Sequence, residues 1–112
     1  MKTLLYDLET SPLVSYTWGV YEQNVIKVKE QAHILSFAYK FLGEKSVKAY
    51  CLADFKGDKK KLVEKLHELF NEADVIIAHN GTHFDNKVAN REFVRFNLTP
   101  PSPYKVIDTL LV

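Results

Sequence analysis

The sequence predicts an α/β fold built on a mixed sheet with flanking helices, and three observations predict it. A short apolar run near the N-terminus is followed by two segments rich in β-branched and aromatic residues with a turn between them. Two later segments place apolar residues at helical spacing, with a short, wholly apolar strand between them. Strands that give way to alternating helix and strand form a layered mixed sheet.

Residues 2–6 read as a strand buried on both faces, broken by Thr10-Ser11-Pro12. Residues 13–31 are mixed, and the alternation of Tyr16, Trp18 and Val20 fits an extended segment. Residues 34–41 and 46–52 read as an antiparallel hairpin around Leu42-Gly43-Glu44-Lys45. Residues 58–73 form the clearest helix: Leu62, Leu66, Leu69, Phe70 and Ala73 share a face, Lys60, Lys61, Glu64, Lys65 and Glu68 face water, and Asp58 is the N-cap. A strand at 75–78 and the turn signal Asn80-Gly81 precede a second helix at 84–96, with Phe84, Val88, Ala89 and Phe93 on its apolar face. Asn97 and the prolines at 100, 101 and 103 end that helix, and Lys105-Val106-Ile107 begins a last strand.

The 112 residues suit a single domain, 1–112, and a 46% hydrophobic composition supplies a real core. Fifteen basic residues against fourteen acidic ones leave a net charge of +1, so a broad basic surface is not how this chain would hold nucleic acid. Such contact must be local or use metal ions against phosphate charge. The single cysteine, Cys51, sits in an apolar run and reads as a small buried hydrophobe, and no Cys/His pattern suggests zinc. There is no signal-peptide pattern and no apolar stretch of ~20 residues, which makes a cytoplasmic, intracellular protein the default.

The strongest chemical signal is Tyr6-Asp7-Leu8-Glu9-Thr10. Alternate strand residues share a face, so Asp7 and Glu9 stand about 6.6 Å apart at Cα. Two desolvated carboxylates repel, which raises their pKa values, and a hard divalent cation such as Mg²⁺ reverses that penalty. The plain alternative is a strand that ends in solvent, with Asp7 starting a turn.

The second signal is His79-Asn80-Gly81-Thr82-His83-Phe84-Asp85, after one strand and at the opening of a helix. Ligand sites in α/β sheets gather at such junctions. The alternative is specific: Thr82 and Asp85 have capping-box spacing, and a helix N-terminus favours a carboxylate in any case. Asn80 could likewise serve only the turn, and Phe84 only the core.

Taken together, these residues match a known pattern. Asp7-Leu8-Glu9-Thr10 resembles the first motif of the DEDD (DnaQ-like) 3′–5′ exonucleases, of ribonuclease-H-like fold, and Asn80-x-x-x-Phe84-Asp85 resembles their second motif, N-x-x-x-F-D. The nearest flavour is the phage and bacterial group of stand-alone or polymerase-associated exonucleases. The resemblance implies two-metal phosphodiester hydrolysis with Mg²⁺ or Mn²⁺. Asp7, Glu9 and Asp85 would be catalytic metal ligands. Thr10 and Asn80 would help place the terminal nucleotide, Phe84 would pack beneath the site, and Leu8 would wedge between bases.

The family's third motif, a Tyr or His a few residues before a fourth Asp on a later helix, has no counterpart before Val112. Asp108 lies on the preceding strand, where the family's acidic residue is structural, and it is not assigned to catalysis. His79 and His83 do not fill the place either, and His83 reads as solvent-facing. The expectation is a site incomplete at the C-terminal side, with the last helix missing, weakened metal binding and impaired turnover. An uncovered sheet face would then favour self-association or a partner chain. The expected substrate is a single-stranded DNA or RNA 3′ end. The rival reading is a non-catalytic remnant that binds nucleic acid or protein, and an unrelated α/β interaction domain with both acidic sites as caps and turns stands outside both.

Three further features carry both functional and structural readings. Lys87, Arg91 and Arg95 recur every four residues and would line a phosphate path, or else form a solvated helix face. Tyr16, Trp18 and Tyr21 would stack unpaired bases, or else cover the core. Lys59-Lys60-Lys61 reads as a surface cluster at a helix start.

Overall fold

The structure is a computed structural model, described for residues 1–12, 14–16, 27–82 and 84–110. Its elements in order are β1 (Thr3–Thr10), β2 (Val14–Tyr16), β3 (Lys27–Glu30), β4 (Ile34–Phe41), β5 (Lys48–Cys51), a 3₁₀ turn (Leu52–Phe55), α1 (Lys59–Glu72), β6 (Val75–Ala78), α2 (Asp85–Arg95) and β7 (Lys105–Asp108). The main sheet has the order β5-β4-β1-β6-β7, while β2 and β3 form a separate two-stranded ribbon.

The sheet is mixed because its two kinds of connection differ. The turn at residues 42–47 joins β4 to β5 antiparallel, and β4 runs antiparallel to β1 from Leu4↔Phe41 to Thr10↔Ile34. The helical crossovers through α1 and α2 make β1–β6 and β6–β7 parallel, as such connections require. The expected α/β mixed sheet with flanking helices is therefore present.

One core fills one face of the sheet. Leu4, Tyr6, Leu8, Phe37, Tyr39, Ile76 and Ala78 from the strands meet Leu62, Leu66 and Leu69 of α1 and Val88, Ala89 and Phe93 of α2. Phe70 of α1 sits at the centre, making edge-on contacts with the rings of Tyr6, Phe93 and Tyr104 at 5.2–5.4 Å. Asp58 caps α1 by accepting the Lys61 N–H at 3.2 Å, a contact worth ~1 kcal/mol.

The expectation that the first strand is buried on both faces is corrected. Leu4, Tyr6 and Leu8 are buried, whereas Leu5 is half-buried and Asp7 and Glu9 are exposed. The reason is that α1 and α2 pack into one core on one face; on the other, Leu5 and Ile77 are half-buried and Ile107 is 42% exposed. Cys51 is half-buried, not fully buried, because it sits on edge strand β5 at the start of the 3₁₀ turn. Trp18, Val20, Tyr21 and His83 lie outside the described residues, as does the Tyr16 side chain.

Candidate active site

The site forms where β1 outruns its parallel neighbour. β6 pairs with β1 only from Thr3↔Val75 to Leu5↔Ile77, so beyond Leu5 one edge of β1 has no strand beside it. A backbone N–H left in that gap needs an acceptor. The Asp85 carboxylate, in the first turn of α2, supplies it: Oδ2 accepts the Leu8 N–H at 3.2 Å. The two sequence signals thus meet, with Asp85 held on the residue between Asp7 and Glu9.

The electrostatics follow from that placement. Asp85 is 3% exposed. Burial raises its carboxyl above the usual range, and Asp7 and Glu9 raise it further against the lowering effect of the Leu8 N–H. Three carboxylates are the donor type that a hard divalent cation takes, and a cation would relieve the repulsion. In chemistry the residues fit such an ion. In geometry they form a pair and a third, since among the described residues no three acidic, histidine or cysteine side chains gather into a metal-holding group.

Asp7 and Glu9 open onto a shallow cleft of about 260 Å³ shared with Ser36, Tyr50, Cys51 and Asp54. That is below the ~300–1,000 Å³ of enclosed ligand pockets, so this is a surface edge. The register shifts by one here, from Glu9↔Ser36 to Thr10↔Ile34, so Leu35 of β4 is the extra residue of a bulge opposite the Glu9-Thr10 step, a device found beside active sites. Thr10 is half-buried at the bulge.

The capping-box alternative for Asp85 does not form. Phe84 is the α2 N-cap and has no side-chain cap bond. The Thr82 N–H goes instead to Asp108 Oδ2 at 3.0 Å, and Asp108 Oδ1 accepts the N–H groups of Asn80 at 2.8 Å and Leu110 at 2.9 Å. Burial opposes the Asp108 charge, but these backbone donors outweigh it and hold the carboxyl below its ordinary value. Asp108 is therefore the structural template of the loop that opens α2. Within that loop Asn80 is half-buried and adopts φ 59°, the left-handed region that Asn tolerates. Gly81 is required for a different reason: a Cβ there would lie 2.8 Å from Ala78 Cβ.

Two sequence expectations need correction. Leu8 cannot wedge between bases, because its side chain is 3% exposed and belongs to the core; only its backbone faces the site. Phe84 does not pack beneath the site, because it is 41% exposed at the N-cap of α2. The basic stripe lies on an exposed helix face, as the second of its readings has it: Lys87, Arg91 and Arg95 are all exposed, and Arg91 and Arg95 in addition pair with Glu92, which is fully buried.

Sequence reasoning missed that buried Glu92. The signal was available, since Glu92 sits one turn after Val88 and beside Phe93 on the apolar face of α2. It also missed the Tyr6 hydroxyl, which donates to Asn86 Oδ1 in the first turn of α2. His33 is paired with Ser11 at 2.9 Å, and His79 with Thr109 at 3.0 Å.

No protein-family model and no curated protein matches the chain. Among solved structures it is similar to the family B DNA polymerase from the hyperthermophilic archaeon Pyrobaculum calidifontis, with 13% sequence identity and a TM-score of 0.62. The match covers 97% of this chain and 15% of that one, so the chain spans about one seventh of the polymerase's length. At that identity the likeness speaks for the fold alone. Together with the strand order and the helix placement, it gives the chain a mixed α/β architecture compatible with the ribonuclease-H-like fold.

Proposed function

We propose that the chain is the metal-binding part of a 3′–5′ exonuclease that hydrolyses phosphodiester bonds at nucleic-acid 3′ ends. The observation that carries this reading is the Asp85 carboxylate held on the Leu8 N–H, between Asp7 and Glu9. Buried and facing two other carboxylates, Asp85 is costly to keep ionised, and a site that accepts such a cost is a functional candidate. The likeness to a DNA polymerase agrees with nucleic acid as the partner.

In this reading Asp7, Glu9 and Asp85 hold Mg²⁺ or Mn²⁺, two ions in the complete family site. When bound, such ions supply an activated water and neutralise charge on the leaving oxygen. Thr10 at the bulge and Asn80 in its left-handed turn place the terminal nucleotide. The exposed Phe84 ring offers a base a stacking surface. Among the described residues no histidine is assigned as general base, since His33, His67 and His79 pair with Ser11, Thr99 and Thr109. In this reading turnover by this chain alone is impaired.

One observation favours a second reading, a binding module of the same fold without catalysis: the three carboxylates are not gathered into a metal-holding group. The test is incubation of the purified 112-residue chain with Mn²⁺ or Mg²⁺ and a 3′-labelled single strand, beside Asp7→Ala. Metal-dependent label release lost in the variant establishes the nuclease. No release, with metal-dependent thermal stabilisation lost in the variant, establishes an incomplete metal site. Absence of both effects leaves the binding module.

A further inference from the structure

The carboxylate of Glu92 lies at 0% exposure inside α2, away from the acidic site. Arg91 Nη2 donates to its Oε1 at 3.0 Å, and Arg95 Nη1 donates to both oxygens at 3.1 and 3.3 Å. The same two guanidinium nitrogens reach the Ala32 carbonyl at 3.2 and 3.3 Å. The next residue, His33, is fastened to the end of β1: the Ser11 N–H donates to His33 O at 2.8 Å, and the His33 N–H donates to Ser11 Oγ at 2.9 Å. Ser11 directly follows the Glu9-Thr10 step, which faces the bulge at Leu35 of β4.

Burying an ion pair is an inefficient way to stabilise a helix, because apolar side chains of similar volume do as well or better. What such a pair does supply, in the best-attested cases, is registry. Asp85 and Glu92 are about two helical turns apart, ~10.5 Å along the axis, and at 3.6 residues per turn they lie on nearly the same face. α2 is thus held at both ends. In its first turn Asp85 accepts from the Leu8 N–H and Asn86 from the Tyr6 hydroxyl, and two turns on Arg91 and Arg95, themselves held by Glu92, donate to the Ala32 carbonyl. Contacts at one end alone leave the far end of a helix free to swing, and contacts at the second end fix it.

We propose that Glu92 is a positioning residue. With Arg91 and Arg95 it locks α2 to the Ala32 carbonyl, and so sets the place of Asp85 against Asp7 and Glu9. As a statement about catalysis this rests on the nuclease reading; as a statement about Asp85 it does not.

The experiment uses Glu92→Met, which keeps the volume and removes the charge, and the double variant Arg91→Lys with Arg95→Lys, which keeps charge and removes the fork onto Ala32. Three quantities are read on the metal-free and Mg²⁺-loaded chain: melting temperature, the amide proton shift of Leu8 by NMR at one fixed pH, and the rate of 3′ label release. Expected are variants that fold, a Leu8 amide displaced from its wild-type position, and kcat lowered by roughly a hundredfold with KM little changed, as for a misplacement of about 1 Å. A folded variant of either kind whose Leu8 amide and kcat both match wild type overturns the proposal. If Glu92→Met does not fold, the lysine double variant decides on the same readouts. If the wild-type chain releases no label and gains no thermal stability from Mg²⁺, the nuclease reading fails separately; with no release in either case, the Leu8 amide alone decides whether Glu92 positions Asp85.

Discussion

Asp85 and Leu8, 77 positions apart in sequence, are joined by a hydrogen bond of 3.2 Å from the Leu8 backbone to the Asp85 carboxylate. The bond exists because β6 stops short of that part of β1 and leaves a backbone donor for a side chain to satisfy. It brings a third negative charge beside an exposed pair.

Asp85→Asn separates that bond from the charge. The amide oxygen can still accept from Leu8, while repulsion by Asp7 and Glu9 is gone. Because burial and those neighbours raise the Asp85 carboxyl, its contribution to stability is present below the ordinary carboxylate value and lost as pH rises through the raised, folded value. At pH 7 the variant should therefore be more stable than wild type without metal, by roughly 0.5–2 kcal/mol, and should lose stabilisation by Mg²⁺. Thermal melts with and without Mg²⁺ check both. A metal-free variant that melts below wild type would show that repulsion is not the governing cost.

Asp108 has the opposite sign. Its carboxyl is held low by the N–H groups of Thr82, Leu110 and Asn80, so its contribution is present above the ordinary carboxylate value and lost as pH falls through the lowered, folded one. Asp108→Asn should lower the urea midpoint clearly at pH 7, since an amide offers one acceptor atom where the carboxylate offers two. The gap between variant and wild type should close progressively below about pH 4. A gap that stays constant from pH 7 to pH 2 would mean that shape alone, not charge, matters at this position.

The sheet and both helices were legible because local pattern and tertiary burial agree in them. The five residues at 62, 66, 69, 70 and 73 that share a face in sequence are all buried in α1 and its C-cap. Asp7, Glu9 and Asp85 were legible as a set only through their motif spacing, since each alone has an ordinary explanation. What was not legible depended on partners far away in sequence. Whether Leu8 faces bases or core depends on which face the helices cover. That the exposed Arg91 and Arg95 also hold a partner depends on Glu92 being buried beneath them and on Ala32, about sixty residues earlier, lying within reach.

Gly81→Ala tests the loop from its packed side. The added Cβ would meet Ala78 Cβ at 2.8 Å, and Ala78 is itself buried at the end of β6. Neither atom lies on a flexible side chain, so the loop must shift. The expected cost is about 1–3 kcal/mol, the range for overpacking, read as a lower urea midpoint with an unchanged slope. A midpoint equal to wild type would show that the loop has room the structure does not display.

Tyr6→Phe tests the last link between β1 and α2. Tyr6 is buried, its ring contacts Phe70 edge-on at 5.2 Å, and its hydroxyl donates to Asn86 Oδ1 in the first turn of α2. Phenylalanine keeps the ring contact and removes only the donor. The amide oxygen of Asn86, a residue 7% exposed, then loses that donor, which costs about 1–3 kcal/mol. Asn86 also anchors Asn90, whose side-chain amide donates to the Asn86 carbonyl at 2.8 Å and to the Tyr104 hydroxyl at 3.2 Å. The variant should therefore melt lower and show faster amide exchange at Asn86 and Asn90 than at α1 residues, because the loss begins in one helix. Uniformly faster exchange across both helices would instead place Tyr6 in the global core, with no separate role in seating the start of α2.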